Sequence, residues 1–451
     1  MIYKNYKETR EALSELLAAK DLRALKELFK EVNIVDLAEF ISEQDDHNTG
    51  ILFRLLPKDI AAEVFSHMDQ DAQSNLLAAY TDQEIEEIVD GLFNDDLADI
   101  VEEIPASVAK RLLAKTDSER RSLINRLLQY PEESAGAMMT TEYMRLTQNM
   151  TVAQAIQKLR DSDKIETIYT CYVTTEDRIL EGVITVREIL TAKDEEILKD
   201  LMNTNVISAQ TTEDQETACR KVDRYDLLAL PVVDNESRLV GIITFDDALD
   251  VLSAESSEDV ALLSAVNPTE DPYLQTSVWD NSKRRVVWLL VLMISGMING
   301  SILANFEHAF VALPILVTFI PMLTDTGGNA GSQSSGVLVR AIALGEAQVK
   351  DIFKILWREL RIGLLVGSVL AFVNAVRVYF LSGRDLMVAL TVSFALYGAV
   401  IVAKLVGGSL PLLAHAAGLD PALVAAPFIT TLVDAVTLIL YFNIAHLLLG
   451  I

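Results

Sequence analysis

The stretch PFITTLVDAVTLILYF (427–442) reads as the heart of a membrane-crossing helix, yet it carries a bare carboxylate, Asp434, near its middle. A charge at that depth costs roughly 2.5–3.5 kcal/mol on insertion scales. Thr430 and Thr431 precede Asp434 by one helical turn, and Thr437 follows it by another, so the four residues share one helix face as a hydrophilic seam. Two plainer readings compete with an ion-handling seam. The Thr hydroxyls can bond back to their own helix, or Asp434 can pair with Lys404 at a similar depth.

Working outward, five spans near the ~20 residues that a bilayer requires are expected. They lie at 286–306, 313–341, 355–381, 386–413 and 422–449. The second contains PMLTDTGGNAGSQSSG (321–336), which resembles no lipid-facing helix. Its glycines weaken a helix, and Asp325, Asn329, Ser332 and Gln333 fall close to one face. Such polarity at membrane depth is tolerated only when buried in protein or beside water. Gly327/Gly331 and Ser332/Gly336 also carry the small-residue spacing of close helix association. Packing and pore lining are therefore both expected here. Lys283, Arg284 and Arg285 precede the first span, and Arg340, Lys350, Lys354, Arg358 and Arg361 surround the second loop. This basic excess places the N-terminal half in the cytoplasm and, after five spans, the C-terminus outside.

The charge is divided unevenly. Residues 1–280 hold 57 Asp/Glu against 27 Lys/Arg, and residues 281–451 hold 8 against 11. An acidic half of this density repels nucleic acid and anionic lipid heads. Its start, MIYKNYKETREALSELL, lacks the apolar region of a signal peptide. Two cysteines, Cys171 and Cys219, are too few for a disulfide framework or a thiolate zinc site. The five histidines (47, 67, 308, 415 and 446) show no ligand spacing.

Residues 1–130 have helical periodicity throughout, in short segments with acidic connections, and read as a small superhelix of stacked pairs. The connections LPKD and IPAS place Pro and Asp or Ser where helix starts want caps. Residues 131–253 repeat one order twice: an extended piece, an amphipathic helix, two strands and a helix. Each strand pair ends in a matching tag, GVITVRE (182–188) and GIITFDD (241–247). This duplication resembles a tandem pair of CBS domains, 131–199 and 200–253. In that family the Thr and acid of the tag often hold an adenosine ribose, here Thr185 with Glu188 and Thr244 with Asp247. The resemblance thus leaves two readings: an ATP-type nucleotide site, or a dimerising sensor module without nucleotide. Residues 254–284 read as an amphipathic connecting helix, and 285–451 as an all-α domain of five transmembrane helices. The fold class is thus a multidomain membrane protein: an all-α superhelical N-domain, an α/β CBS pair, a connecting helix and an all-α membrane domain.

A lone carboxylate among hydroxyls and carbonyls is a hard-oxygen site, suited to Mg²⁺ or Ca²⁺. A single charge would bind weakly enough for release, as conduction requires. At Pro321, Gly328, Asn329, Gly331 and Gln333, and in the DPALVxxPxxxxxxD pattern of 420–434, the chain resembles MgtE-type magnesium channels over nearly its whole length. That resemblance implies a homodimer in the plasma membrane, with Mg²⁺ as substrate. It implies a pore lined by spans two and five, with Asp434 as the selecting carboxylate and Asp325, Asn329 and Thr431 beside it. It also implies a cytosolic Mg²⁺ sensor that closes the pore at high Mg²⁺. Carried over residue by residue, the sensing set is Glu216, Asp226, Asp247, Asp250, Glu255, Glu258 and Asp259. Asp95, Asp96 and Asp99 of NDDLAD join it from the N-domain, with the carbonyl of Gly136. No catalytic residues are expected. Three other classes are weighed: a coupled secondary transporter, a nucleotide receptor that only signals, and an intramembrane aspartyl protease using Asp325 and Asp434. The protease lacks a GxGD setting, and five spans do not divide into two equal inverted repeats.

Overall fold

The computed structural model describes residues 6–162, 165–269, 273, 276–381, 383–423 and 426–450. Val424 and Ala425, inside the 420–434 motif, lie outside the described residues. The chain forms two compact units, residues 1–252 and 253–451.

The first unit opens with ten helices: α1 (Tyr6–Ala18), α2 (Leu22–Leu28), α3 (Ile34–Ser42), α4 (Asp46–Leu55), α5 (Lys58–Ser66), α6 (Gln70–Ala79), α7 (Asp82–Gly91), α8 (Asn94–Glu103), α9 (Ala106–Leu113) and α10 (Ser118–Leu127). Most are too short to be stable alone. They are started by Asp21, Asn33, Asp45, Asp69, Thr81 and Asp117, whose side chains accept backbone N–H bonds as N-caps. At LPKD and IPAS the cap is different from the expected one. Pro57 and Pro105 themselves occupy the N-cap position, and no side chain completes the bond. Helices pack mainly on the helix two along, α3 on α5, α5 on α7, α4 on α6 and α8 on α10, which winds the superhelix. Phe29, Phe40, Phe53 and Phe65 fill its interior.

Two three-stranded sheets follow. The first holds β1 (Tyr143–Thr147), β2 (Thr167–Thr174) and β3 (Leu180–Thr185), with helices α11 (Val152–Arg160) and α12 (Val186–Thr191). After α13 (Leu198–Leu201), the second holds β4 (Ala209–Gln210), β5 (Ala229–Val233) and β6 (Leu239–Thr244), with α14 (Gln215–Arg224) and α15 (Phe245–Leu263). Within each sheet the first pair is parallel and the second antiparallel, and Cys171↔Ile184 matches Leu230↔Ile243 in register. The copies are intertwined. Thr140, ahead of the first sheet, pairs through both its backbone groups with Ile242 of the second. Asn203, ahead of the second sheet, pairs in the same way with Val183 of the first. The tag glycines permit this crossing. A Cβ on Gly182 would lie 2.6 Å from Met202 Sδ, and one on Gly241 2.5 Å from Met139 Sδ. Both cysteines are buried and neither is in a disulfide. The core of the second sheet is continuous with that of the helical superhelix.

The boundary expected at 253/254 is not a break in secondary structure, because α15 runs through it and ends at Leu263. The second unit continues with α16 (Val278–Asn305), α17 (Glu307–Ala312), a 3₁₀ turn (Pro314–Phe319), α18 (Ile320–Ala343), a second 3₁₀ turn (Val349–Asp351), α19 (Ile352–Leu381), α20 (Leu386–Gly407), α21 (Leu410–Ala416) and α22 (Ala426–Leu449). By length and composition four stretches of the described residues are apolar enough to cross a membrane: Val278–Asn305, Val349–Leu381, Leu386–Ala416 and Phe428–Leu449. The expected second span corresponds to α18, whose polar insert sets it apart. The expected fourth span is two helices, because the chain bends at Gly408 and Ser409 and restarts with Pro411 in the first turn of α21.

The helices of this unit approach closely through glycine. A Cβ added at Gly407 would lie 2.2 Å from the Gly331 carbonyl oxygen and 3.1 Å from Ser334 Cβ. Gly407→Val must therefore part α18 from α20, at a cost of about 1–3 kcal/mol or more. In detergent its melting temperature falls well below that of Gly336→Val, whose added Cβ would meet nothing within 4 Å. Equal melting of the two variants would contradict this packing.

Candidate functional site

Two constellations emerge, one in each unit. In the second unit α18 packs on α22 and α20 with one face. Gly327, Gly328, Ala330, Gly331, Ser334, Leu338 and Val339 are buried there. A Cβ on Gly328 would meet Thr430 Cγ2 at 3.3 Å, and one on Gly331 would meet Ile429 Cγ2 at 2.7 Å. The opposite face holds Asp325, Asn329 and Gln333 at four-residue intervals, and all three are exposed. Asp434, half-buried on α22, senses the charge of Asp325, so the two carboxylates are electrostatic neighbours. Thr430 and Thr431 are half-buried beside it and engaged with other groups.

Three sequence readings need correction. Thr437 does not continue the open seam: it is 1 % exposed and lies against Gly327, where an added Cβ would sit 3.1 Å from its hydroxyl. Ser332/Gly336 is not a packing pair like Gly327/Gly331, because nothing lies near Gly336. Lys404 does not pair with Asp434. Its buried Nζ donates to Gln333 Oε1 at 3.4 Å, and among the described residues it forms no ion pair.

In the first unit the crossing of the two CBS copies gathers acids. Asp95 and Asp96 of α8, Glu142 just before β1, Glu166 just before β2 and Asp247 at the start of α15 all feel one another's charge. Thr140 Oγ1 donates toward Asp95 Oδ1 at 3.3 Å, and the Glu166 N–H donates to the Glu142 carbonyl at 2.9 Å. The Asp247 carboxylate accepts from the Thr244 hydroxyl. Glu166 Oε2 is buried with no hydrogen-bond partner among the described residues. Burial, reinforced by Asp96, Glu142, Glu166 and Asp247, pushes the Asp95 carboxyl up to about 8. Burial, reinforced by Asp247, Asp96, Asp246 and Glu142, pushes Glu166 up to about 7. Asp96 and Asp247 are raised as well, chiefly by burial. Among the described residues no three His, Cys, Asp or Glu side chains converge as a ready-made site for a bare metal ion.

The rest of the expected sensing set is dispersed. Asp99 is exposed one turn beyond Asp95, and Asp250 is exposed one turn beyond Asp247. Glu216 is ion-paired with Arg220 on its own helix. Asp226 is exposed in the turn after α14 with φ of 52°. Gly136 is buried with its N–H on the Thr211 carbonyl at 2.9 Å. Glu255, Glu258 and Asp259 lie in the part of α15 that belongs to the second unit, half-buried and engaged with other groups. Glu142 and Glu166 were missed by sequence reasoning, since their partners come from the other copy and the N-domain. In the tags, Thr185 caps α12 and Glu188 accepts from the Thr185 N–H and hydroxyl, both at 2.8 Å. Thr244 and Asp247 repeat the hydroxyl-to-carboxylate bond. The Thr–acid pairing thus has a local role in starting a helix.

The family model described as "Divalent cation transporter" (MgtE) matches residues 320–444. The MgtE intracellular N domain matches 32–133, and the CBS domain matches 135–195 and 198–254. The magnesium transporter MgtE of Thermus thermophilus is 37% identical over 442 residues, which cover 97% of this chain and 98% of that protein. The Bacillus subtilis magnesium transporter MgtE is 32% identical, with 95% of each covered. Among solved structures, the cytosolic domain of the Mg²⁺ channel MgtE in complex with ATP is similar with TM-score 0.51 and 36% identity, covering 54% of this chain and 99% of that one.

The raised carboxyls have a pH signature. Folded, Asp95 and Glu166 hold protons at pH values where the unfolded chain, with ordinary carboxyls near 4, has released them. Stability of the first unit therefore falls as pH rises from that range through about 7 and 8. In metal-free buffer, melting of residues 1–252 should drop between mildly acidic and mildly alkaline pH. Asp95→Asn and Glu166→Gln should flatten that slope and raise the alkaline melting temperature; unchanged slopes would contradict the cluster.

Proposed function

The chain belongs to the MgtE family of magnesium transporters, and on that premise we propose that it is a homodimeric, Mg²⁺-selective channel gated by Mg²⁺ at its cytosolic half. It is a multi-pass membrane protein with Mg²⁺ as substrate. The observation that carries the channel reading is the open face of α18. Asp325, Asn329 and Gln333 stand uncovered on a helix of the membrane domain. At that depth such groups require protein or water against them. A second copy brought to this face would enclose a polar path with two Asp434 carboxylates. Mg²⁺ dehydrates reluctantly and keeps several waters, so hydroxyl and amide donors on a wide path suit it better than a tight cage. Asp325, Asn329 and Thr431 then contact the ion's water, and Asp434 supplies the selecting charge.

The acid cluster is the natural brake. Two unit charges at 4 Å repel by about 4 kcal/mol at an effective dielectric of 20. A near-complete switch between two states needs about 5.5 kcal/mol, so a few bridged pairs suffice. The buried Glu166 oxygen, without a hydrogen-bond partner among the described residues, and the raised Asp95 carboxyl mark a place where a cation would offset burial and repulsion. Hydrated Mg²⁺ would be held by Asp95, Asp96 and Asp247 with Glu142 and Glu166. Asp99, Gly136, Glu216, Asp226, Asp250, Glu255, Glu258 and Asp259 belong to the wider sensing set. ATP at the CBS pair is supported by the solved complex of the 36% identical cytosolic domain. Thr185 with Glu188, and Thr244 with Asp247, would meet its ribose. The basic residues flanking the spans support a plasma-membrane orientation with both sensor domains in the cytoplasm and the C-terminus outside.

In liposomes Asp434→Ala should abolish Mg²⁺ uptake while the protein still elutes as a dimer; parental flux would reject the pore assignment. Millimolar Mg²⁺ should protect residues 200–280 from limited proteolysis, and Glu166→Gln should weaken that protection. Cleavage unaffected by Mg²⁺ would reject the brake.

A further inference from the structure

The middle of the packed face of α18 is built from small residues, Gly327, Gly328, Ala330, Gly331, Ser334 and Ser335, with Leu323, Leu338 and Val339 buried toward its ends. Small residues let helices approach closely, but they offer few knobs to resist rotation about the helix axis. A turn by one residue position carries a side chain about 100° around the helix. Such a turn would move Asn329 off the open face. Along this stretch polar contacts add to the apolar interlock in specifying the rotation.

Two neighbouring helices do this through consecutive residues. Ser334 is 5 % exposed, and its hydroxyl donates to Glu359 Oε2 of α19 at 2.6 Å. Gln333, the preceding residue, receives the Lys404 ammonium of α20 on its amide oxygen at 3.4 Å. Lys404 is 5 % exposed, and an ammonium has donors only, so the contact sets which end of the Gln333 amide faces inward. Its Nε2 is left for the open side. Both gripping stems are seated against glycine. A Cβ on Gly408 would lie 2.7 Å from Glu359 Cγ, and one on Gly363 would lie 3.6 Å from Lys404 Cβ. Lys404 senses the charge of Glu359, so the two grips also steady each other.

We propose that Glu359 and Lys404 are positioning residues for ion passage: by holding Ser334 and Gln333 they fix the rotation of α18 and keep Asp325 and Asn329 on the ion path. This rests on the reading that the open face of α18 lines that path. Truncating Glu359 or Lys404 also removes packing against glycine, so the cleanest probe is Ser334→Ala, which deletes one hydroxyl. The full-length protein is reconstituted in liposomes, and Mg²⁺ and Ca²⁺ uptake are measured beside dimer elution. Ser334→Ala and Glu359→Ala should lower Mg²⁺ uptake and narrow the Mg²⁺ over Ca²⁺ preference about tenfold, the ratio expected for one hydrogen bond. Glu359→Gln, which still accepts from Ser334, should retain both. A role in stability alone would leave the ion preference of the assembled dimer unchanged. The proposal is overturned if Ser334→Ala and Glu359→Ala discriminate like the parent while Asp434→Ala abolishes flux. It is also overturned if Glu359→Gln loses as much as Glu359→Ala. Parental flux in Asp434→Ala would instead reject the pore reading on which it stands.

Discussion

Gly331 meets two neighbouring helices at once, and the membrane domain depends on that point having no side chain. A Cβ there would stand 2.7 Å from Ile429 of α22 and 3.3 Å from the Ala403 carbonyl of α20, while Gly407 needs the space over its own carbonyl. Among lipid tails there is little hydrophobic drive to bring helices together. Close packing between small residues and a few polar contacts carries the association. Once the small residues of α18 are committed to this contact, helical geometry sends Asp325, Asn329 and Gln333 to the other side. The polar face is open because the glycine face is closed.

The soluble unit is organised by a different constraint. Each CBS copy lends its leading segment to the hairpin of the other, through Thr140 with Ile242 and Asn203 with Val183. The crossing brings Glu142 and Glu166 of the first copy to Asp247 of the second, and Asp95 and Asp96 of α8 complete the group. Like charges are thereby concentrated in a partly desolvated place, where their repulsion is least screened. Such a cluster is stable only with a proton or a cation to balance it. The same residues that make the unit sensitive to pH would make it sensitive to a divalent ion. Protonation and Mg²⁺ become competing ways to relieve one strain.

The two constellations differ in how their acids are held. In the membrane domain a single carboxylate, Asp434, senses one other, Asp325, with Thr430 and Thr431 one turn before it on its own helix. That suits weak, reversible contact with a hydrated ion. In the first unit several carboxylates lie within range of one another's charge, a density that would hold a cation more firmly. Passage and retention of an ion would ask for opposite densities of charge, and the two constellations lie in separate compact units.

The sequence alone determined the architecture, because hydropathy, helical period and the duplicated tag are local properties that neighbouring residues impose on one another. The polar interruption of the second span, the lone acid of the last and the excess of acid before residue 281 were all legible there. What the tertiary structure decided are partnerships between residues far apart in the chain. Depth alone allowed Lys404 to pair with Asp434, and packing turned it to Gln333 instead. Spacing put Thr437 on the seam, but a helix face is wide and Gly327 drew that residue inward. Glu142 and Glu166 carry no mark of their own in the sequence; only the exchange of segments between the CBS copies makes them neighbours of Asp247. Periodicity states which residues share a face, and only packing settles what that face meets.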